Sequence, residues 1–125
     1  MLRAIASRGM NSEKLAVNDE IVVFTSINDE DVAQEFVQEL LQEQLILSGT
    51  IFPGAKVMYV WEGQVTLDTE YKIMLKAREG HYAGIEEYIM KKHPYLAPEI
   101  IKFQVSFGSP DFRKFLMGNK KLSSQ

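Results

Sequence analysis

Cysteine is absent from this sequence, which removes disulfide cross-links and thiolate metal sites together and makes a reducing compartment, the cytoplasm, the natural home. Basic excess is absent too. Fourteen lysines and arginines stand against 17 acidic residues, a net charge of -3 that offers no field to hold a phosphate backbone. Lys91-Lys92 and Lys120-Lys121 are local exceptions, and nucleic acid is not an expected partner. No apolar run approaches the roughly 18 residues of a membrane-spanning helix, so the expectation is a soluble protein without a membrane span. The two histidines have no evident nucleophilic partner, and the sequence contains no Gly-x-Ser-x-Gly elbow, phosphate loop or His-Glu-x-x-His pair. No hydrolytic site of these kinds is expected.

What remains is a chain of 125 residues, enough for one domain that buries roughly two-thirds of its unfolded surface. Residues 1–19 carry Arg3 and Arg8 and no acid before Glu13. They read as a disordered N-terminal extension, with an organelle transit segment as the alternative. The domain is expected over residues 20–118 and a loose polar tail over 119–125.

Ile21 to Ile27 is a nearly unbroken apolar run rich in β-branched residues, the pattern of a strand covered on both faces. Asn28 is the expected cap of a following helix, with Asp29, Glu30 and Asp31 at the positive end of its dipole. Val32, Phe36, Val37, Leu40, Leu41 and Leu45 recur at helical spacing and are expected to face inward. Ile51 to Trp61 reads as a long strand interrupted by a bulge at Pro53-Gly54, with Val57, Tyr59 and Trp61 on one face beyond the break. Glu62-Gly63-Gln64 links it to a partner strand in which Tyr71, Ile73 and Leu75 alternate with Lys72, Met74 and Lys76. This hairpin, from about Thr50 to about Ala77, is far longer than the usual strands of about five or six residues and should overhang its own domain.

A second helix is expected from Gly80 to Lys92, with Tyr82, Ile85 and Ile89 inward and Pro94 as its stop. Pro98 opens a last strand whose Ile101, Phe103, Val105 and Phe107 are expected to face the core. Ser109-Pro110-Asp111 starts a terminal helix anchored by Phe112, Phe115 and Leu116 and ended by Gly118. The order is β-α-β-β-α-β plus a C-terminal helix. This is an α+β, ferredoxin-like antiparallel sheet with helices on one face, and its overhanging hairpin leaves edges and apolar side chains that self-association would cover.

Tyr59-Val60-Trp61-Glu62-Gly63 at the hairpin tip and His93-Pro94-Tyr95-Leu96-Ala97-Pro98-Glu99-Ile100 resemble the CutA divalent-cation-tolerance family. Ile51-Phe52-Pro53-Gly54, Lys76 and Gly108-Ser109-Pro110 agree in order, so the likeness spans about Ile21 to Leu116. The resemblance implies a non-enzymatic homotrimer linked to copper and other divalent cations. It also implies similarity to PII-type signalling proteins, whose clefts between subunits hold small effectors. Cu²⁺ or another divalent cation is therefore the candidate cofactor. The family's copper-ligand positions fall here on Thr25, Lys92 and His93, and of these only His93 is a ligand type suited to Cu²⁺ or Zn²⁺.

Tyr59, Trp61 and Tyr95 are candidates to line an inter-subunit cleft for a small anionic ligand, with Glu62, Lys76 and Glu99 as its polar groups. The plainer reading makes these aromatics interface core and Lys76 with Glu62 an ordinary ion pair. His93, in the last turn of its helix, equally suits a hydrogen bond to a nearby carbonyl. Met58 and Met74, placed on facing strands, read as packing side chains more readily than as soft ligands for Cu(I).

Overall fold

The computed structural model describes residues 19–105 and 110–116. The transit-like reading of residues 1–18, the inward placement of Phe107, the Ser109 cap, the Gly118 stop and the polar tail lie outside the described residues. Strand β1 (Glu20–Ile27) is followed by helix α1 (Glu30–Gln42), the hairpin strands β2 (Ser48–Trp61) and β3 (Gln64–Arg78), helix α2 (Tyr82–Lys92), strand β4 (Ile101–Gln104) and helix α3 (Pro110–Leu116). The four strands form one antiparallel sheet in the order β2-β3-β1-β4. Each helical crossover passes over a strand before rejoining the sheet, which is the ferredoxin-like arrangement expected from the element order.

The core lies between the helices and one face of the sheet. On β1 that face presents Ile21, Val23, Thr25 and Ile27, and their partners on β3 are Ala77, Leu75, Ile73 and Tyr71. Phe36 and Leu40 of α1 and Ile85 and Ile89 of α2 close it from above, all buried. Thr25 is the misfit. Its side chain is buried and its hydroxyl has no hydrogen-bond partner among the described residues. A buried hydroxyl without a partner costs about 1–3 kcal/mol, so Thr25→Val, which keeps the shape, is expected to stabilise the fold by about 1 kcal/mol. The measurement is a denaturant midpoint, and a lower midpoint in the variant would show that the hydroxyl is in use.

Helix α1 begins one residue later than the sequence suggested. Asp29, not Asn28, is the cap: its backbone is extended, its carboxylate accepts from Val32 N–H at 3.0 Å, and its carbonyl takes the first helical bond from Ala33. At the other end Gln44 turns left-handed (φ 60°), Gln44 N–H donates to the Leu41 carbonyl and Leu45 N–H to the Leu40 carbonyl. This paired closure stops the helix and folds Leu45 back onto the core, so Leu45 packs inward as expected without being helical. Leu41 is corrected outright, because it faces solvent.

Helix α2 follows a 3₁₀ turn over Glu79–His81 and starts two residues after the expected Gly80. It ends at His93, whose backbone is extended (ψ 133°) because Pro94 excludes the helical conformation from the residue before it. The last strand departs most from expectation. Cα partners Val22 with Phe103 and Phe24 with Ile101 put Ile101 and Phe103 on the sheet face away from α1 and α2, and both are exposed. The alternation was right and the choice of covered face was not. Asp19, placed above in the extension, is anchored to the domain by its ion pair with Arg78 at 2.9 Å and its carbonyl bond to Glu79 N–H.

Candidate functional site

The hairpin turns through two residues, Glu62 (φ 50°) and Gly63 (φ 77°), between the closing pair Trp61 and Gln64. Positive φ at both positions is the geometry that matches the twist of the flanking strands. Near its base the β2–β3 ladder breaks between Phe52 and Ala55, where Pro53 has no N–H to give and Gly54 sits at φ 70°. Pairing of β3 with β1 stops at Tyr71, opposite Ile27. Everything beyond is a two-stranded ribbon roughly 20 Å long, which projects without support from the rest of the sheet.

Both faces of this ribbon carry exposed apolar side chains. Tyr59 and Trp61 lie on one, and Met58, Val60, Val65 and Leu67 on the other, with Val60 and Val65 paired directly across the strands and 68% and 72% exposed. The sheet face away from α1 and α2 continues the pattern, with Phe52, Ile101 and Phe103 exposed and Phe103 edge-on to Phe24 at 5.9 Å. Exposed apolar side chains in this number make the ribbon and this sheet face a candidate interaction surface.

A polar cluster sits where the ribbon leaves the sheet. The Lys72 ammonium meets Glu99 Oε1 at 2.7 Å, and the Ser26 hydroxyl donates to the same oxygen at 3.2 Å. The Tyr95 hydroxyl donates to Glu70 Oε2 at 2.8 Å. Burial, the hydrogen bond to Glu70 and the charge of that carboxylate push the Tyr95 phenol up to about 12. Beneath them His93 is buried with both ring nitrogens engaged: Nε2 lies 2.7 Å from the Ser26 carbonyl and Nδ1 accepts from Tyr95 N–H at 3.1 Å. An accepting Nδ1 makes Nε2 the N–H that donates to Ser26. The imidazole also stands edge-to-face with Phe36 and Tyr95.

The structure thus gathers Tyr95, Glu99 and His93 and leaves the other candidates apart. Tyr59, Trp61 and Glu62 are at the tip, where the Tyr59 hydroxyl bonds Asp68 at 2.6 Å. Lys76 lies at the opposite end of β3, roughly 40 Å of strand from the turn, so it forms no ion pair with Glu62. Its ammonium stands over the Phe112 ring at 5.7 Å, and burial lowers its pKa. Met58 and Met74 do not face each other either, since Met58 pairs with Leu67 and Met74 with Thr50. Sequence reasoning missed Ser26, Glu70 and Lys72. The β1–β3 register sets Ser26 beside Lys72, and the loop over residues 93–99 joins them to Glu70, a meeting that no local pattern shows.

A model of the family described as CutA1 divalent ion tolerance protein matches residues 21–119. The chain belongs to the CutA1 family. It is 31% identical to the divalent-cation tolerance protein CutA of Citrobacter koseri over 106 residues, which cover 85% of this chain and 92% of that protein. Among solved structures it resembles CutA1 from Oryza sativa, with a TM-score of 0.75 and 25% identity over 86% of this chain and 99% of that one. CutA1 from Pyrococcus horikoshii gives a TM-score of 0.71 and 33% identity over 81% and 98%.

The copper-ligand positions implied by the CutA likeness do not fit a metal in this chain. Thr25 offers a buried hydroxyl, Lys92 a cation, and His93 has no free ring nitrogen. Among the described residues no three His, Cys, Asp or Glu side chains converge as metal ligands. A further concavity of about 630 Å³ lies between α1 and α2, lined by Glu39, Glu43, Leu45, Tyr88 and Lys92 among others. It contains none of the cleft candidates.

Proposed function

We propose that this CutA1-family chain works as a non-enzymatic homotrimer in the response to divalent cations, assembling through its projecting ribbon and the sheet face away from α1 and α2. The observation that carries the reading is the exposed apolar row Met58, Val60, Val65 and Leu67 on one face of the ribbon, with Trp61, Phe52 and Phe103 exposed on the other face and the sheet surface it continues. A single chain leaves this surface in water, and a second and third copy would bury it. Copper enters through the CutA likeness and not through a ligand set in this subunit. Light scattering tests the assembly: a mass near three times 14.3 kDa at micromolar concentration is expected, and a mass of one chain would overturn it.

A second reading is a small-anion cleft between subunits. Lys76 favours it, because this partly buried ammonium pairs with no carboxylate among the described residues while Trp61 projects free at the tip. Within one chain these two are far apart, so such a cleft takes residues from neighbouring copies. A melting shift with inorganic phosphate that disappears in Lys76→Gln supports the cleft, and no shift in either protein counts against it.

A further inference from the structure

The ribbon from Ala55 to Glu70 has a soft joint at its root. On one side β2 loses its ladder at Pro53 and Gly54, and on the other β3 loses its β1 partner after Tyr71. A two-stranded ribbon attached this way has marginal stability of its own and no fixed direction. The two outermost contacts of the loop over residues 93–99 straddle that joint. Glu70, held by Tyr95, pairs with Ala55, the first residue beyond the bulge, while Lys72, held by Glu99, pairs with Phe52, the last residue before it. The loop itself is tied down from below by His93, through the Ser26 carbonyl and the Tyr95 amide, and by the Ser26 hydroxyl on Glu99.

We propose that the loop over residues 93–99 is a clamp that fixes the direction in which the ribbon leaves the sheet, and so controls how readily subunits assemble. The second half of this statement rests on the assembly proposed above; the first does not. Tyr95 and Glu99 are positioning residues, reaching the ribbon through Glu70 and Lys72. A ribbon held at one angle enters its partner without first losing the freedom to swing, which is the ordinary gain from preorganisation.

The test is the double variant Tyr95→Phe/Glu99→Ala, which removes both acceptor and donor of the loop, compared with the unmodified protein by amide hydrogen exchange and by dilution in light scattering. The clamp predicts exchange at least about tenfold faster over residues 55–61, unchanged exchange over 48–52, and an assembly midpoint raised at least about tenfold in concentration. Exchange that rises equally on both sides of the bulge, or on neither, overturns the clamp. Faster exchange beyond the bulge with an unmoved assembly midpoint overturns its role in assembly. If the unmodified protein is already a single chain, the assembly reading fails, and the exchange pattern alone decides the clamp.

Discussion

The double variant Val60→Asp/Val65→Asp is expected to scatter light as a single chain of 14.3 kDa at concentrations where the proposed assembly predicts a trimer for the unmodified protein. These two valines face each other across the ribbon with Met58 and Leu67 as their neighbours on the same face, and all four are exposed in the subunit. Burying each valine at an interface contributes about 1.5–3 kcal/mol. A carboxylate in the same dry position instead brings a desolvation cost of several kcal/mol, repeated at every subunit. Within the single chain the substituted side chains stand in water, so far-UV circular dichroism should be unchanged. A variant that remains trimeric would remove this face of the ribbon from the interface and leave the sheet face with Phe52 and Phe103 as the assembling surface.

The same distinction between a pattern and its environment explains what the sequence could tell. Strand β1 and helix α1 were legible because burial within one chain sets their periodicity: Ile21, Val23 and Ile27 point one way, and Phe36 and Leu40 recur on one helical stripe. The bulge and the turn were legible because proline and glycine report backbone geometry directly. Strand β4 was misread for a physical reason. Alternation shows that Ile101 and Phe103 share one face of β4 but cannot say whether that face meets the helices α1 and α2 or points away from them. Asn28 and Asp29 are equally good caps by type, and only the backbone angle at Asp29 separates them.

The site was less legible than the fold. Tyr95 and Glu99 were found through the CutA likeness, whereas the groups they touch come from the register of β1 on β3, which no local pattern fixes. Lys72 rather than Lys76 meets Glu99, two same-face positions away along the same strand. Among the described residues no helix is long and apolar enough to cross a membrane.

His93→Ala is expected to destabilise the protein by about 2–4 kcal/mol and to leave its Cu²⁺ titration unchanged. The substitution removes the donor to the Ser26 carbonyl and the acceptor of the Tyr95 amide, each worth about 1–3 kcal/mol when a buried group is left without a partner. It also opens a cavity between Phe36 and Tyr95, whose rings both stand against the imidazole. His93→Gln can place an amide N–H where Nε2 now donates, so it should recover part of the loss by restoring the Ser26 contact alone. Denaturant midpoints rank the three proteins and calorimetric Cu²⁺ titration checks the metal. A ligand role gives the opposite pair of results, with a small change in stability and a lost copper isotherm. The imidazole can bind an ion only after releasing the Ser26 carbonyl or the Tyr95 amide, and releasing either loosens the loop that holds Glu70 and Lys72.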